Sequence, residues 1–370
     1  MGRPYTVRTD CRHYLGERPC SFKRECRGCP HYDPQGTRIL IIKLGAMGDA
    51  LRTTTILPAL KKTYPKSHIT WVTDNASYPL LEGIPLIDRL CVLAPDTRLV
   101  LEAEAFDRLY CFEKIPLATA FGSIMKAEVK KGFSLSPHGT LSIYDQDSAY
   151  ALRLGLSDPF KFHQSRRTYQ DVLFEMAGLT YRGERYQLAL SEQDRNAAAR
   201  LFDRLGVPAD RPVVGLNTGC GTVFKTKQWP IPSFVRLARR LHHDLGASVV
   251  LLGGPGEKET HRTIMRACGV PVYDTGNDNP VKRFAAIVQR CDVVVTGDTL
   301  AMHLAIALQR PVVALFGATC PQEIDLYGNG IILFAAQECS PCYKHECATM
   351  ICMKRITVGS VVRAVKSLLP

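Results

Sequence analysis

One acidic side chain, Asp49, stands directly after a glycine turn at the end of a short apolar run. The run covers residues 39–42, and Gly45 and Gly48 separate it from a helical pattern of apolar residues. A short apolar run bounded by glycine predicts a buried parallel strand, and the glycines allow a tight turn before the helix. A strand, a glycine turn and a helix N-terminus make a place for an anion or a reacting hydroxyl, although Asp49 could also serve only as a helix cap. The spacing G-x-x-G differs from G-x-G-x-x-G, which excludes the dinucleotide-binding fingerprint.

A second group of candidate residues lies in a polar loop after an apolar run at residues 213–217. The loop offers hydroxyl and ammonium groups on Thr218, Thr222, Lys225 and Lys227. With backbone N–H groups, these side chains could cradle a diphosphate, but a solvated loop whose lysines face water fits equally well. The loop does not contain the P-loop pattern G-x-x-x-x-G-K-S/T, in which lysine directly precedes Ser or Thr. This excludes a P-loop ATPase site.

A third turn, at residues 296–299, ends one predicted strand and opens a helix. Ligands of open α/β sheets bind beyond the carboxyl ends of the strands, so this turn points to a cleft. Asp298 could accept from sugar hydroxyls, Thr299 could donate to a phosphate, and His303 lies one helical turn further on. The alternatives are Asp298 as a helix cap and His303 as a buried core histidine. Glu257, after another glycine turn, could contact a nucleoside or only favour its own helix dipole.

Eight of the 14 cysteines fall into two groups, one near each end of the chain. The N-terminal group comprises Cys11, Cys20, Cys26 and Cys29, and the C-terminal group comprises Cys339, Cys342, Cys347 and Cys352. Residues 1–36 show no helical or strand periodicity. Such a segment needs a cross-link, such as a bound metal ion, to keep a defined structure. We therefore expect structural zinc or iron at the cysteine groups, with unligated thiols as the alternative. No secretory signal is recognisable, so a reducing compartment without disulfides is expected.

The elements that must position these residues form two similar series. From residue 37, and again from residue 211, short apolar runs alternate with helical patterns, which predicts two parallel sheets built from βαβ units. Single helices are predicted at residues 50–64 and 117–127. Residues 134–168 interrupt the first series with a long irregular insert. This insert could form part of a binding cleft, or it could be only a surface loop. The predicted units are a cysteine-rich segment 1–36, an N-terminal domain 37–205, a C-terminal domain 206–355 and a last helix 356–370.

The 370-residue chain carries a net charge of +12. A basic protein favours an anionic partner such as nucleic acid, an acidic membrane surface or a phosphorylated substrate. The basic residues are scattered, and no helix-turn-helix or aromatic RNA-binding motif is present, so a nucleic-acid-binding zinc protein is the weaker hypothesis. No apolar run is long enough to cross a bilayer, and we expect a cytoplasmic protein.

Four ordered motifs resemble those of the ADP-heptose heptosyltransferases, the GT-B enzymes of glycosyltransferase family 9. They are I-L-I-I-K-L-G-A-M-G-D-A-L-R-T-T, K-x-W-P, G-D-T-L-A-M-H-L-A and P-V-V-A-L-F-G, and the similarity spans residues 37–360. The resemblance implies two Rossmann-like domains that face a cleft, and inverting transfer of heptose from ADP-heptose to a hydroxyl of the lipopolysaccharide inner core. It also implies Asp49 as the general base and Lys227 at the donor diphosphate. The donor-binding turn of the family corresponds to Asp298, Thr299 and His303.

The resemblance further implies an ADP-sugar donor, an anionic glycolipid acceptor and peripheral contact with the inner face of the bacterial inner membrane. We expect no catalytic metal, because preorganised cations can stabilise the leaving group. From charge and position, the candidates for acceptor binding are Lys43, Arg52, Arg166 and Arg167. The chain departs from the family pattern at Gly45, where S-x-x-G-D has serine, and at Leu300, where D-S/T-G-x-x-H has glycine. The N-terminal cysteines are similar to those of iron-bearing heptosyltransferases that modify proteins, so a metal-containing enzyme with a protein acceptor is the alternative hypothesis.

Overall fold

The first half of the chain builds a six-stranded sheet in a computed structural model that describes residues 5–221 and 223–369. Its strands are β1 (Arg38–Ile42), β2 (His68–Thr73), β3 (Arg89–Val92), β4 (Ala105–Cys111), β5 (Lys126–Leu135) and β6 (Leu141–Ile143). They lie in the order β3-β2-β1-β4-β5-β6, and only β6 runs antiparallel to its neighbour. The central strand β1 is buried on both faces by separate apolar clusters, which explains its uninterrupted apolar run.

The second half builds another six-stranded sheet, in which all pairings are parallel. Its strands are β7 (Val213–Asn217), β8 (Ser248–Leu252), β9 (Val272–Asp274), β10 (Val293–Gly297), β11 (Val312–Phe316) and β12 (Gly330–Phe334). They lie in the order β12-β11-β10-β7-β8-β9. The four central strands are buried throughout, whereas β9 and β12 are half-buried edge strands, which were not predicted.

Helices cover both sheets. Those of the first half are α1 (Met47–Thr53), α2 (Ile56–Thr63), α3 (Tyr78–Leu81), α4 (Pro95–Ala103), α5 (Pro116–Ile124), α6 (Ala149–Leu156) and α7 (Tyr169–Ala177). Those that follow are α8 (Glu192–Leu205), α9 (Ile231–Leu245), α10 (Lys258–Cys268), α11 (Val281–Gln289), α12 (Leu300–Ala307), α13 (Ile351–Lys354) and α14 (Val358–Leu368). Local signals fix several ends: α8 begins with a capping box at Ser191 and ends at Gly206, which adopts a left-handed conformation that glycine tolerates.

Each sheet, numbered from its own first strand, has the order 3-2-1-4-5-6 of a doubly wound fold. This confirms the prediction of two α/β halves. The order reverses between β1 and β4 in the first sheet and between β7 and β10 in the second, and ligands bind beyond the carboxyl ends of strands at such points. Helix α1 packs against α12, and α3 packs against α11, so the two halves meet beside these reversal points.

The prediction of a single helix at residues 50–64 is wrong, because the structure has two helices there, α1 and α2. The break falls at Thr54 and Thr55. The Thr54 hydroxyl donates to the Leu51 carbonyl (2.6 Å), and the Thr55 hydroxyl donates to the Arg52 carbonyl (2.9 Å). Such local bonds compete with the backbone ladder of a helix.

Two predictions in the region after β4 also differ from the structure. The helix predicted at residues 117–127 ends at Ile124, and β5 starts two residues later. This strand was missed because its first residues are mostly exposed and form no apolar run. The insert at residues 134–168 is not irregular throughout: it contains the end of β5, β6, α6 and a π-helical turn at Phe160–Gln164.

The structure groups α8 with the second sheet, although the sequence placed it in a domain ending at residue 205. Ala198 and Phe202 of α8 are buried in the same apolar cluster as Val213 and Ala285, because α8 packs against α11. Helix α14 likewise packs on α9 and on the second sheet. The structural boundary between the halves therefore lies before α8.

The cysteine-rich segment at residues 5–36 contains no helix or strand, only an isolated β-bridge between Cys11 and Pro34. Arg12 ties this segment to the first half of the chain. Its guanidinium donates to Asp88 (3.3 Å) and to the carbonyl of Lys66 (2.6 Å).

Candidate active site

Near the predicted site the two halves meet where Gly48 of α1 lies against His303 of α12. A Cβ added to Gly48 would lie only 2.5 Å from Cδ2 of His303, so no side chain fits at this position without movement. Asp49 follows Gly48 in the first turn of α1. Asp298 and Thr299 stand between β10 and α12. The contact between α1 and α12 therefore brings the acid of the first half and the polar turn of the second half to one junction.

Asp49 is an ionised carboxylate with an adjacent cation. Its Oδ1 lies 2.9 Å from Nη2 of Arg52, and its side chain is 40% exposed toward the cleft. Desolvation acts to raise the pKa of Asp49, but the positive charges of Arg52 and Lys43 outweigh it, so the pKa lies below its usual value. Arg52 in turn stacks 3.7 Å above the ring of Tyr169, which fixes its position.

Lys43 is held beside this site by a carboxylate that sequence reasoning missed. Its ammonium donates to Glu113 (2.8 Å) and to the carbonyl of Gly45 (2.6 Å), and both charged side chains are nearly buried. Glu113 follows β4, the neighbour of β1 at the reversal point of the first sheet. Its place just beyond a central strand is the signal that could have identified it.

A cavity of about 250 Å³ adjoins Asp49. Its lining includes four further cations, Arg52, Lys114, Lys161 and Arg167, and the carboxylates Glu113 and Glu323. Apolar side chains complete the lining: Phe112, Phe133, Leu154, Val172, Leu173 and Met176. Lys43, Arg52 and Arg167 were predicted from sequence and line the cavity, whereas Arg166 does not line it: that side chain is exposed and donates to the Ser165 carbonyl (3.1 Å). Lys114 and Lys161 were missed because their positions depend on the insert and on the loop after β4.

Across the junction, Lys227 and Asp298 form an ion pair. The Lys227 ammonium lies 2.9 Å from Oδ2 of Asp298 and also donates to its carbonyl (3.2 Å). Desolvation acts to raise the pKa of Asp298, but the positive charge of Lys227 outweighs it and the pKa is lowered. Thr299, not Asp298, occupies the N-cap position of α12, and the amide of Asn217 donates to its hydroxyl (3.1 Å).

His303 is buried, and its Nδ1 lies 3.3 Å from the hydroxyl of Tyr186. Burial, together with the nearby positive charge of Arg52, lowers the pKa of His303 to about 4. The imidazole is therefore neutral at neutral pH. The carboxylates of Asp298 and Asp49 both lie close enough to His303 to influence its pKa.

A second cavity, of about 690 Å³, is bordered by the first residues of α1 and α12 and is large enough for a nucleotide. Glu257 and Thr299, two of the candidates for donor binding, line it, and so do Met47 and Leu300. Glu257 accepts from the Gly254 N–H (2.8 Å). Polar residues that the sequence did not single out complete the lining: Asn217, Asn277, Asp278 and Asn279.

The remaining predicted donor-binding residues lie differently. Thr218 is buried outside the lining of this cavity, and its hydroxyl has no hydrogen-bond partner among the described residues. Lys225 is directed to Glu346, 3.2 Å away, at an exposed position. Thr222 lies outside the described residues.

The two cysteine groups differ in their surroundings. Cys11, Cys20, Cys26 and Cys29 all line one hollow of about 510 Å³. In the C-terminal group Cys339 and Cys347 are exposed, Cys342 is half-buried and Cys352 is buried. Within residues 5–221 and 223–369, no three His, Cys, Asp or Glu side chains are grouped so that they could hold a metal ion. A metal at either cysteine group therefore remains a prediction and takes no part in the chemistry below.

In the part of the chain that the structure describes, no helix has both the length and the apolar character required to cross a bilayer.

Comparison with known proteins agrees with this architecture. The chain is 22% identical over 304 residues to the lipopolysaccharide core heptosyltransferase OpsX of Haemophilus influenzae, covering 79% of this chain and 82% of that protein. It is 29% identical over 139 residues to lipopolysaccharide heptosyltransferase 2 of Escherichia coli, a match that spans 36% of this chain and only 38% of that relative. The solved structure of E. coli ADP-heptose lipopolysaccharide heptosyltransferase II shares the fold, with a TM-score of 0.66 at 19% identity over 90% of this chain and 98% of that one.

The family model described as glycosyltransferase family 9 (heptosyltransferase) matches residues 101–352, which is more than half of the chain. The match confirms the resemblance that the ordered motifs indicated. This chain belongs to glycosyltransferase family 9.

Proposed function

We propose that this chain transfers heptose from an ADP-heptose donor to a hydroxyl of the lipopolysaccharide inner core, with inversion at the anomeric carbon. The observation that carries the proposal is the contact between α1 and α12, which brings Asp49 and the Lys227–Asp298 pair to a junction between two cavities. The names of the relatives supply the substrates: heptosyltransferases of the lipopolysaccharide core, one of them named for ADP-heptose.

The donor occupies the larger cavity, with its diphosphate toward the junction. The apolar side chains Met47, Val281 and Phe284 suit a nucleoside base, and Asn277 and Asn279 offer amide groups to its polar edge. The N-terminus of α12 begins beside Thr299 and favours the negative charge of a phosphate.

The acceptor occupies the smaller cavity, which combines an apolar wall with cations. Arg52, Lys114, Lys161 and Arg167 outnumber the carboxylates of the lining, and a sugar that carries carboxylate or phosphate groups fits such a lining. This supports an anionic glycolipid acceptor.

In the reaction, the acceptor hydroxyl attacks the anomeric carbon and gives its proton to the carboxylate of Asp49. The bond from that carbon to the diphosphate oxygen breaks, and ADP leaves with the electron pair. One carboxylate suffices for this inverting displacement, because no covalent glycosyl intermediate forms. The ammonium of Lys227 and the N-terminus of α12 stabilise the charge that develops on the leaving group.

The substitution Asp49→Asn tests the assignment of the base. Asparagine keeps the size of the side chain and a carbonyl oxygen for Arg52, but it cannot take a proton at neutral pH. We expect kcat to fall by about 10²–10⁴, because general base catalysis contributes about that much. Heptose transfer to an inner-core oligosaccharide freed of its lipid is followed by mass spectrometry and by ADP release.

The matched control is Asp96→Asn, since Asp96 also lies in the first turn of a helix, α4, is exposed and lines neither cavity. The control should transfer heptose at the wild-type rate. Near-normal turnover by Asp49→Asn would refute the role of Asp49. If the wild type turns over another nucleotide sugar but not ADP-heptose, the proposed donor is wrong.

A further inference from the structure

The segment that carries most of the C-terminal cysteines touches both halves of the chain. We refer to residues 339–347, which contain three of those four cysteines, as the cysteine loop. Its backbone is fixed just beyond β11, because the N–H groups of Cys342 and Tyr343 both donate to the Ala318 carbonyl (2.9 Å each). These hydrogen bonds hold the ring of Tyr343 at the boundary between the two halves.

On the side that faces the first half, Tyr343 contacts the π-helical turn Phe160–Gln164. The ammonium of Lys161 lies 3.7 Å from the centroid of the Tyr343 ring, and the ring of Phe162 stacks on it at 5.5 Å with nearly parallel planes. Gln322 fastens the same turn, because its amide donates to the Lys161 carbonyl (3.1 Å). The second half therefore holds the turn that carries Lys161 through two of its own side chains.

Tyr343 also contacts two residues that line the cavity beside Asp49. Lys161 and Glu323 both belong to that lining, and their charged groups lie 3.7 Å apart. Burial raises the pKa of the Tyr343 hydroxyl, which therefore stays protonated and donates to Glu323 (3.4 Å). The ring of Tyr343 thus faces the cation of this pair, and its hydroxyl faces the carboxylate.

The opposite side of the cysteine loop contacts the segment that precedes Lys227. The ring of Phe224 packs against His345, with the centroids 4.7 Å apart, and it approaches Tyr343 edge-on at 6.1 Å. This second distance exceeds both distances from the Tyr343 ring to the π-helical turn. We therefore assign the ring to the acceptor cavity of the first half rather than to the donor diphosphate.

We propose that Tyr343 is a positioning residue for the acceptor: its ring holds the ammonium of Lys161 in the cavity beside Asp49, where that ammonium binds an anionic group of the acceptor. This inference rests on the proposed function and assigns the cysteine loop a part in it. A lysine side chain loses much rotamer freedom when it is held in one position. Because the ring already orders Lys161, the acceptor does not have to order it on binding.

The first test measures heptose transfer by Tyr343→Ala to the inner-core oligosaccharide freed of its lipid. We expect KM for the acceptor to rise roughly fivefold, because ordering one flexible side chain on binding lowers affinity by a factor of about two to ten. KM for ADP-heptose and kcat should keep their wild-type values, since the ring contacts no reacting group. Tyr343→Phe, which keeps the ring, should behave as the wild type does.

Two further variants show whether Tyr343 acts through Lys161. In a Lys161→Met background, Tyr343→Ala should raise KM for the acceptor no further, because the cation that the ring orders is absent. The matched control is Tyr64→Ala, which removes another half-buried ring beside a cation, since the guanidinium of Arg108 lies 4.7 Å from its centroid. Tyr64 lines neither cavity, so this control should keep the wild-type KM for both substrates.

Labelling of amines separates this inference from the proposed function, because it requires no heptose transfer. An acetylating reagent modifies the full-length protein, and peptide mass spectrometry gives the rate at Lys161. This rate should rise in Tyr343→Ala and stay unchanged in Tyr343→Phe and in Tyr64→Ala. If the wild type transfers no heptose, the proposed function fails, but the labelling still decides whether Tyr343 holds Lys161. Tyr343→Leu, which keeps apolar volume without the aromatic face, replaces Tyr343→Ala if that variant does not fold.

Any of four results would overturn the proposal. Two concern Tyr343→Ala alone: an unchanged KM for the acceptor, or an unchanged labelling rate at Lys161. The third is a further rise in KM for the acceptor when Tyr343→Ala is added to Lys161→Met. The fourth is an equal loss in Tyr343→Phe and Tyr343→Ala, which would assign the effect to the hydroxyl. If KM for ADP-heptose rises instead of KM for the acceptor, the ring supports the segment that carries Lys227.

Discussion

Gly48 is the second residue of α1, where a Cβ would lie 2.5 Å from Cδ2 and 3.2 Å from Nε2 of His303. Carbon atoms in contact prefer a separation of about 3.5–4.0 Å, so the substitution Gly48→Ala requires the two halves, or the imidazole, to move by roughly 1 Å. Because Gly48 directly precedes Asp49, this movement also displaces the carboxylate of Asp49 relative to the second half. A displacement of about 1 Å between reacting groups costs about 10²-fold in rate. We therefore expect kcat to fall by roughly that factor, although the substitution removes no charged side chain.

Stability should change much less than activity in the Gly48→Ala variant. Overpacking a buried contact costs about 1–3 kcal/mol, whereas alanine stabilises a helix by up to about 1 kcal/mol relative to glycine. We therefore expect a loss of no more than about 2 kcal/mol in the free energy of unfolding. Combining the change with His303→Ala should remove that loss, because the clashing ring is gone, and a double-mutant cycle on unfolding measures this coupling.

The matched control is Gly359→Ala. Gly359 is also the second residue of its helix, α14, but a Cβ there would meet only side-chain atoms, the nearest being Nη1 of Arg363 at 3.6 Å. This control should keep full activity. The assay measures heptose transfer to a lipid-free acceptor at saturating ADP-heptose. If Gly48→Ala is as active and as stable as the wild type, the two halves do not meet at this contact in the working enzyme.

Two further predictions concern the second half of the chain. The substitution Lys227→Met should lower kcat by about 10²–10³, because it removes a charge that stabilises the leaving group, while Lys225→Met should be nearly neutral because Lys225 is exposed and pairs with Glu346. Equal losses in both variants, measured by ADP release, would contradict the assignment. The second prediction concerns His303, whose pKa falls from about 6.5 in the unfolded chain to about 4 in the folded chain. Between these two pH values the imidazole is mostly protonated in the unfolded chain and mostly neutral in the folded chain. Stability should therefore decline by up to about 3 kcal/mol as pH falls from 6.5 to 4, and urea unfolding at several pH values should show a shallower decline for His303→Gln.

The central strands could be predicted from sequence because a strand buried on both faces must be apolar at every position. The predicted run at residues 39–42 lies within β1, and the one at residues 213–217 coincides with β7. The strands β5 and β9 escaped prediction for the converse reason: they are partly exposed, and polar residues break their apolar patterns. The strand β12 is apolar but half-buried at the edge of its sheet, and it was not predicted either.

The residues at the junction could be predicted for a related reason. Asp49 follows β1 and Asp298 follows β10, and side chains just beyond central parallel strands lie where ligands bind. Sequence position does not reveal partners that only tertiary packing supplies. Glu113 contacts Lys43 from just beyond β4, 70 residues further along the chain, and Tyr186 contacts His303 from the connection between the halves.

The two departures from the family pattern have structural counterparts close to the junction. A Cβ on Gly45 would lie 2.8 Å from Oδ2 of Asp74, so the carboxylate of Asp74 fills the space that a side chain at position 45 would need. Asp74 itself accepts from the N–H of Ser77 (2.7 Å), which anchors it at the start of α3. Leu300, in place of glycine, packs in the same apolar cluster as Met47 and lines the larger cavity with it. Since one of these two side chains comes from each half of the chain, the wall they form depends on the same closure of the halves that brings Gly48 to His303.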